Sequence, residues 1–312
     1  MREFEHVYAD LASSIESLSA FEEEGVRLWD ALKSAPSYTC YKSSKSAFGA
    51  LLASTAWRDL LASRCFGSIF DFGTGMGENA CAILPCLKDL GVRPPMVLVD
   101  LSKGMLEHAF KAVTLEALRL DVFMDVIPIR NNILREVDRL RRTSVLGQYL
   151  EGSAPRLFML LGGTLSNFRE DEFFDVLDRI SRPNDVLVFG VEQHRLVDGS
   201  TKPEEDFLKE YDSPEQTAMC VNFCRKNFGD GPRYEDAISF LVDRKGRASS
   251  IPNTISVISG CFRNAAIEII SPHHRYDEAA LLDYLRSRGF GLVMSAGSPD
   301  EKFYKCFVCE RI

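Results

Sequence analysis

The feature that most constrains the fold is an apolar run that ends in an acid and breaks into three glycines. Residues 68–79 read Ser-Ile-Phe-Asp-Phe-Gly-Thr-Gly-Met-Gly-Glu-Asn, and a helix-like pattern follows them. A strand that turns into a helix through Gly73, Gly75 and Gly77 lets backbone N–H groups approach a ligand, because no Cβ intervenes. The pattern predicts a strand–loop–helix unit that binds a nucleotide-like molecule.

A second buried-strand pattern supports this interpretation. Met96-Val-Leu-Val-Asp100 ends in a carboxylate 23 residues after Gly77. In a βαβ nucleotide-binding unit, the acid that binds the ribose stands about 20 residues beyond the glycines. Asp100 is therefore the predicted ribose-binding residue.

Strand and helix patterns alternate from Ser68 to about Glu192. Near-continuous apolar strands are typical of a sheet covered on both faces, so we expect an α/β fold with a parallel, doubly wound sheet. The predicted strands are 68–72, 96–100, 122–129, 156–161 and 185–191. The predicted helices are 78–90, 103–120, 133–149 and 169–180. Pro85 is expected to kink the first helix or to mark its true start.

The pattern changes after Gln193. The later predicted elements are helix 213–228, strands 236–243, 254–262 and 265–270, helix 277–288, and closing strands 291–295 and 303–310. We expect a smaller α+β substrate lobe, formed by residues 1–45 and 193–275, on a core formed by residues 46–192 and 276–312. A chain of 312 residues, of which 46% are apolar, is long enough for both units.

The composition excludes several classes of partner. A net charge of −8 without a basic run argues against nucleic acid. No apolar stretch approaches the roughly 18 residues that cross a bilayer, so we expect no membrane partner and a cytoplasmic monomer or homodimer. The nine cysteines are scattered and odd in number, which favours reduced thiols. Cys306 and Cys309 have zinc-ligand spacing but no convincing second pair, so no metal site is predicted.

The glycine loop, Asp71-Phe-Gly-Thr-Gly-Met-Gly77, resembles motif I of class I S-adenosylmethionine-dependent methyltransferases. The two closing strands are similar to their antiparallel terminal hairpin. More specifically, the chain resembles the histidine-specific N-alpha methyltransferase family of the ergothioneine pathway. The similar segments run in order along most of the chain: 28–41, 71–77, 99–106, 160–168, 188–192, 210–217 and 271–290. The most specific of them is Leu160-Leu-Gly-Gly-Thr-Leu-Ser-Asn-Phe168.

This resemblance implies a Rossmann-like class I methyltransferase fold and S-adenosyl-L-methionine as the cofactor. Asp100 would hold the ribose of the cofactor, and Asn131 stands where the family has an acid that contacts the adenine. The implied cofactor-binding residues are Asp71, Gly73, Thr74, Gly75, Gly77, Asp100, Leu101, Asn131 and Gly162.

The resemblance also implies a small, amino-acid-like substrate. Asn167 matches the asparagine that holds the substrate's amino group, and Tyr38 and Tyr211 match tyrosines that hold its amino-acid end. We predict these three residues as the catalytic and substrate-binding residues. His273, in a predicted loop after Pro272, is the candidate contact for the substrate side chain.

The family has a Glu-x-Ser pair that grips the imidazole of histidine ahead of its closing helix. Here the region reads Ile269-Ile-Ser-Pro-His-His-Arg-Tyr276, and no register restores the pair. We therefore predict methyl transfer to the amino group of an amino acid or a related small molecule other than histidine. Asn167 suits this chemistry, because its amide oxygen can accept an N–H without fixing a positive charge on the nitrogen.

Two other functions stay open from the sequence. One is an enzyme that consumes S-adenosylmethionine in another reaction and releases methylthioadenosine, by cyclising it to azetidine-2-carboxylate or by transferring its aminocarboxypropyl arm. The other is a regulatory protein that binds the cofactor without turnover.

The candidate residues also have structural alternatives. Asp71 and Asp100 could cap the helices that follow them, and Asn167 could be the N-cap of the helix predicted at 169–180. Tyr211 could be a buried packing residue. His273 and its neighbour His274 could be exposed loop residues.

Overall fold

The computed structural model describes residues 23–132, 134, 144–167, 169–211, 213–229, 233–263, 266–299 and 301–312. The α-helices in these residues are α1 (Glu23–Ser34), α2 (Thr39–Ala53), α3 (Thr55–Arg64), α4 (Glu78–Leu90), α5 (Lys103–Arg119), α6 (Ser144–Glu151), α7 (Glu170–Ile180), α8 (Glu204–Lys209), α9 (Pro214–Phe228) and α10 (Glu278–Ser287). Short 3₁₀ turns cover Thr164–Asn167 and Tyr234–Asp236.

The strands follow the same chain order. They are β1 (Ser68–Phe72), β2 (Met96–Asp100), β3 (Val126–Arg130), β4 (Arg156–Leu160), β5 (Val186–Arg195), β6 (Ile238–Asp243), β7 (Ile255–Arg263), β8 (Ala266–Asp277), β9 (Phe290–Gly297) and β10 (Tyr304–Arg311).

Most predicted elements are confirmed, and β1, β2 and α4 have the predicted bounds. Helix α4 includes Pro85 in its interior, so this proline does not mark the start of the helix. Strand β3 begins at Val126 instead of residue 122, because Asp121 takes a positive φ of 58° and the chain turns there before it enters the sheet. Of the predicted helix 133–149, the structure describes α6, while residues 133 and 135–143 lie outside the described residues.

The central sheet confirms the predicted doubly wound architecture. Strands β3, β2, β1, β4 and β5 pair in that order, and each pair is parallel. Strand β10 runs antiparallel to β5, and β9 runs antiparallel to β10. The expected terminal hairpin of a class I methyltransferase fold is therefore present at one end of the parallel strands.

Helices cover both faces of this sheet, which explains the continuous apolar strands. All five residues of β1 are buried. Phe173 and Phe174 of α7 pack on one face with Leu281 of α10. Helices α2, α4 and α5 pack on the other face, where Phe48 and Ile83 lie in a second cluster. A strand that is buried on both faces cannot alternate polar and apolar residues.

Strands β6, β7 and β8 form an antiparallel extension of the sheet. Strand β8 joins β5 through two pairs, Gln193 with Tyr276 and Arg195 with Asp277. The predicted division into a core and a substrate lobe places these strands mainly in the lobe, and that division stays a prediction.

The predicted strand 265–270 is too short, and the predicted loop after Pro272 is wrong. Strand β8 continues through Pro272, His273 and His274 to Asp277. Proline lacks an N–H donor and is tolerated in a strand at an edge or next to a bulge. Pro272 meets this condition, because the β7–β8 register shifts between Ser259 and Gly260, one residue from its partner Ile258.

Gly77 generates the first testable prediction. Its φ is +85°, and a Cβ on it would lie 2.9 Å from the Cα of Ala109 in α5. We expect Gly77→Ala to lower the free energy of unfolding by about 1–3 kcal/mol, because the added methyl overpacks this helix contact. Urea denaturation measures the effect.

Gly49 in α2 provides the matched control, because a Cβ on it would meet nothing within 4 Å. Alanine has the higher helix propensity, so Gly49→Ala should stabilise the protein by about 0.5–1 kcal/mol. Equal effects of the two substitutions would contradict the packing role of Gly77.

Candidate active site

The glycine loop leaves the carboxyl end of β1 and is fixed to the neighbouring strand. The N–H of Gly73 donates to the carbonyl oxygen of Val99 in β2 at 2.8 Å. Gly73 and Gly75 take positive φ values of 64° and 56°. A Cβ on Gly75 would meet nothing within 4 Å, so this part of the loop faces open space.

Two buried carboxyl groups organise this loop, and neither is the cap of the next helix. Asp71 accepts a hydrogen bond from the hydroxyl of Thr74 at 2.7 Å. Asp100 accepts from the N–H of Gly75 at 3.0 Å and from the N–H of Ser102 at 2.8 Å. Gly77 is the N-cap of α4 and Ser102 is the N-cap of α5.

Burial also changes the acidity of these two groups. Desolvation raises the pKa of Asp71 to about 7, and it raises the pKa of Asp100 to about 6. The negative charge of Asp100 adds to the rise at Asp71. Both groups therefore gain negative charge as the pH rises towards 8.

A cavity of about 210 Å³, here called the loop cavity, lies beside the glycine loop. The predicted cofactor-binding residues in its lining are Gly73, Thr74, Gly75, Asp100, Leu101, Asn131 and Gly162. Asp71 and Gly77 do not line it; Asp71 acts on the loop through Thr74, and Gly77 packs against α5. Seven of the nine predicted residues therefore meet around one space.

A second cavity of about 130 Å³, here called the lobe cavity, lies between the sheet and α9. It brings together the four residues that sequence reasoning chose for the substrate. These are Tyr38, Asn167, Tyr211 and His273.

The two cavities share part of their walls. Trp29, Gly162 and Asn167 line both of them. Asn167 ends the 3₁₀ turn that follows β4, and the N-cap position of α7 belongs to Arg169. Asn167 is therefore not the cap of α7, and it lies where the loop cavity meets the lobe cavity.

Tyr211 is buried and packs with Phe207 and Val257, as the structural alternative expected. It also has a polar role, because its hydroxyl accepts a hydrogen bond from Arg275 at 3.1 Å. Burial raises the pKa of Tyr211, so the phenol stays protonated. Since its oxygen already accepts from Arg275, its own proton can be donated to an acceptor in the lobe cavity.

Sequence reasoning missed two cations behind Tyr211, Arg275 and Lys202. Arg275 pairs with Glu192 and with Glu210, the latter at 3.3 Å. Lys202 also pairs with Glu192, and it lies 3.6 Å from Glu210. Arg275 could have been found if β8 had been predicted at its full length. It follows His273 by two residues, and in a strand residues two apart lie on the same face.

The strand also separates the two adjacent histidines. His273 lines the lobe cavity, and its ring centre lies 5.1 Å from that of Tyr211. His274 is buried away from this cavity, with Nδ1 2.7 Å from the hydroxyl of Ser256. Neither is an exposed loop residue. Desolvation, with help from Arg275, lowers the pKa of His273 to about 3, so its imidazole is neutral at physiological pH.

Helix α1 adds a second feature that sequence reasoning missed. Trp29 lies in the wall of both cavities. Lys33 is nearly buried and pairs with Glu78, in the first turn of α4, at 2.5 Å. The pair fixes α1 to the helix that the glycine loop enters.

The profile of the histidine-specific, S-adenosylmethionine-dependent methyltransferase family matches residues 5–223. The chain belongs to this family. Its members use S-adenosylmethionine as the methyl donor, so the protein is an S-adenosylmethionine-dependent transferase. The two other functions that the sequence left open receive no support from this match.

Among curated proteins, none is similar enough in sequence to match the chain. Several solved structures align with most of the chain at low sequence identity. The methyltransferase CcbJ from Streptomyces caelestis is 15% identical with a TM-score of 0.42, over 90% of this chain and 98% of that chain. The 1,6-didemethyltoxoflavin-N1-methyltransferase from Burkholderia thailandensis is 14% identical with a TM-score of 0.43, over 92% and 88%. Magnesium protoporphyrin IX methyltransferase from Synechocystis PCC 6803 is 10% identical with a TM-score of 0.47, over 96% and 99%.

The lining of the loop cavity fits the cofactor of this family. The open space at Gly75 lets the backbone approach a nucleoside, and Asp100 offers a carboxylate for ribose hydroxyls. Within the described residues, no cluster of three metal-ligating side chains is present, and no helix is long and apolar enough to span a membrane. The assignment of individual residues to cofactor and substrate stays a prediction.

The acidity of Asp71 and Asp100 generates a prediction about the cofactor. S-adenosylmethionine carries a positive sulfonium charge that S-adenosylhomocysteine lacks. Ionised carboxylates nearby should therefore strengthen the binding of S-adenosylmethionine relative to that of S-adenosylhomocysteine. Because the two pKa values are about 7 and 6, we expect the preference for S-adenosylmethionine to rise between pH 5.5 and 8. A coupling of one pKa unit corresponds to about tenfold in affinity. Calorimetric titrations with both ligands measure the ratio of the two Kd values.

Asp71→Asn is the informative variant, because its amide oxygen can still accept from Thr74. In this variant, the ratio of the two Kd values should no longer change near pH 7, where Asp71 titrates, but should still change near pH 6, where Asp100 titrates. A ratio that does not vary with pH in the parent protein would show that the two acids do not sense the sulfonium.

Proposed function

We propose that the protein methylates the amino group of a free amino acid other than histidine. One observation carries the proposal: Asn167 lies in the walls of both the loop cavity and the lobe cavity. The cofactor supplies an electrophilic methyl group when it is bound. An acceptor nitrogen held by Asn167 would stand between the two cavities, where positioning alone contributes much of the rate.

The charges around the lobe cavity favour a neutral amine. Among the described residues that line it, Glu192 is the only acid, and Arg275 and Lys202 both pair with it. Within this lining, no carboxylate is then left to hold the substrate as an ammonium ion. An α-amino group has a pKa near 7.7–8.0, so desolvation beside a neutral amide favours its uncharged, nucleophilic form.

The substrate carboxylate has two neutral donors available. Burial raises the pKa of Tyr38 and of Tyr211, so both phenols remain protonated and can donate. Arg275 already donates to the oxygen of Tyr211 and so directs the phenolic proton away from itself. These two hydroxyl groups would orient the acid end while Asn167 orients the nitrogen.

The size of the lobe cavity supports a single small molecule. Its volume is about 130 Å³. A protein cavity of about 150 Å³ holds one benzene ring. A free amino acid suits a space of this order better than a peptide does.

The exclusion of histidine rests on the β8 wall of the lobe cavity. Ser271 and His273 lie two residues apart and both line it. The resembling family has a Glu-x-Ser pair in this part of the chain. With a serine and a neutral histidine instead, the β8 wall has no carboxylate that could pair with an imidazole N–H.

Product analysis with a panel of amino acids tests the proposal. The parent protein should release S-adenosylhomocysteine together with an N-methylated amino acid. Asn167→Ala should lower kcat by about 100-fold, because the nitrogen is no longer held in line, while the Kd for S-adenosylhomocysteine changes little. Asn227→Ala, an exposed substitution on α9, is the control and should retain full turnover. Near-full activity of Asn167→Ala would refute the role of Asn167.

A gain of activity tests the exclusion of histidine. The double variant Ser271→Glu/His273→Ser supplies a carboxylate and a hydroxyl on β8 and should raise kcat/KM for histidine by about tenfold or more. The control Ser271→Gln/His273→Ser has the same shape without the charge and should gain less. If the parent already prefers histidine, this part of the proposal is wrong.

A further inference from the structure

We propose that the lobe cavity selects an amino acid with an uncharged side chain, which has an apolar body and a hydroxyl group that donates to His273. This inference rests on the proposed function and adds the class of side chain. With the amino group at Asn167, the side chain must lie against the residues that line the lobe cavity alone.

Those residues form a largely apolar wall. Met219, Cys220 and Phe223 come from one face of α9, and Ile270 comes from β8. Burial raises the pKa of the Cys220 thiol to about 12, so this residue is also uncharged. A wall of this kind favours an apolar side chain through desolvation.

Apart from Glu192 and Arg275, the polar groups in the same wall are neutral. They include Gln216, Asn222, Ser259, Ser271 and His273. Among the described residues that line the lobe cavity, the ionised pair is Glu192 with Arg275, and these two are bound to each other. A lysine, arginine, aspartate or glutamate side chain would therefore be buried here without a counter-charge, which is strongly unfavourable.

His273 is positioned to form a hydrogen bond with a polar group of the substrate side chain. Its ring packs against Tyr211, and neither ring nitrogen hydrogen-bonds to a described residue. A neutral imidazole has one nitrogen that accepts and one that donates. An acceptor nitrogen in a buried cavity is best satisfied by a donor on the bound molecule, and a hydroxyl group supplies one.

Matched substrate pairs test the inference in the full-length protein. Steady-state kcat/KM values are measured for tyrosine against phenylalanine and for threonine against valine, with lysine, arginine and aspartate as charged substrates. We expect the charged amino acids to be at least about 100-fold poorer than the best neutral one. In at least one pair, the member with the hydroxyl group should be preferred; no such preference in either pair would overturn the role of His273.

His273→Phe keeps a ring against Tyr211 and removes both nitrogens. It should lower kcat/KM for the hydroxyl member of the preferred pair by about tenfold and change the value for its apolar partner less than threefold. His273→Gln keeps a neutral acceptor and should recover part of the loss. Binding of S-adenosylhomocysteine, measured by calorimetry, reports whether each variant is folded. If His273→Phe does not bind it, the same comparison of kcat/KM values is made between His273→Gln and His273→Leu.

The outcomes separate this inference from the proposed function. If no amino acid is methylated although S-adenosylmethionine binds, the proposed function is wrong. If amino acids are methylated but a charged one is the best substrate, only the present inference is overturned. Equal losses for both members of a pair in His273→Phe would likewise overturn the role of His273.

Discussion

The buried pairing of Arg275 with Glu192 and Glu210 is the interaction on which the lobe cavity depends. Arg275 lies in β8, Glu192 lies in the last part of β5, and Glu210 directly follows α8. The pairing therefore joins three separate parts of the chain. Removing one partner from a buried ion pair costs about 3–5 kcal/mol, because the other charge is left without compensation. The guanidinium of Arg275 also donates a hydrogen bond to the hydroxyl oxygen of Tyr211. It thereby orients the phenolic O–H of Tyr211 in the wall of the lobe cavity.

The parallel sheet explains why the two cavities meet. Strand β1 pairs with β4, so the loops after their carboxyl ends lie side by side. One loop contains the glycines, and the other contains Gly162 and ends at Asn167. Ligands of open α/β sheets bind at this edge. The backbone topology alone therefore places the loop cavity and the lobe cavity next to each other.

Much of the fold could be predicted from the sequence, because its signals are local. The glycine loop, the apolar strands β1 and β2 and the helix α4 each follow from a few adjacent residues. The course of β8 could not be predicted, because Pro272 interrupts the local pattern and only the pairing with β7 carries the strand past it. Arg275 was missed because its role also depends on distant parts of the chain. Its partners Glu192 and Glu210 lie 83 and 65 residues before it. The family match confirms the cofactor, whereas the residue roles and the identity of the acceptor stay proposals.

Helix α1 has a thermodynamic consequence for how the two ligands bind. Trp29 is part of both walls, and the Lys33–Glu78 pair holds the helix in place. A molecule in either cavity that contacts Trp29 restricts the same indole side chain, so the entropy of ordering that side chain is lost once for two binding events. The cofactor and the acceptor are therefore expected to bind cooperatively, and by linkage each should strengthen the other by the same factor.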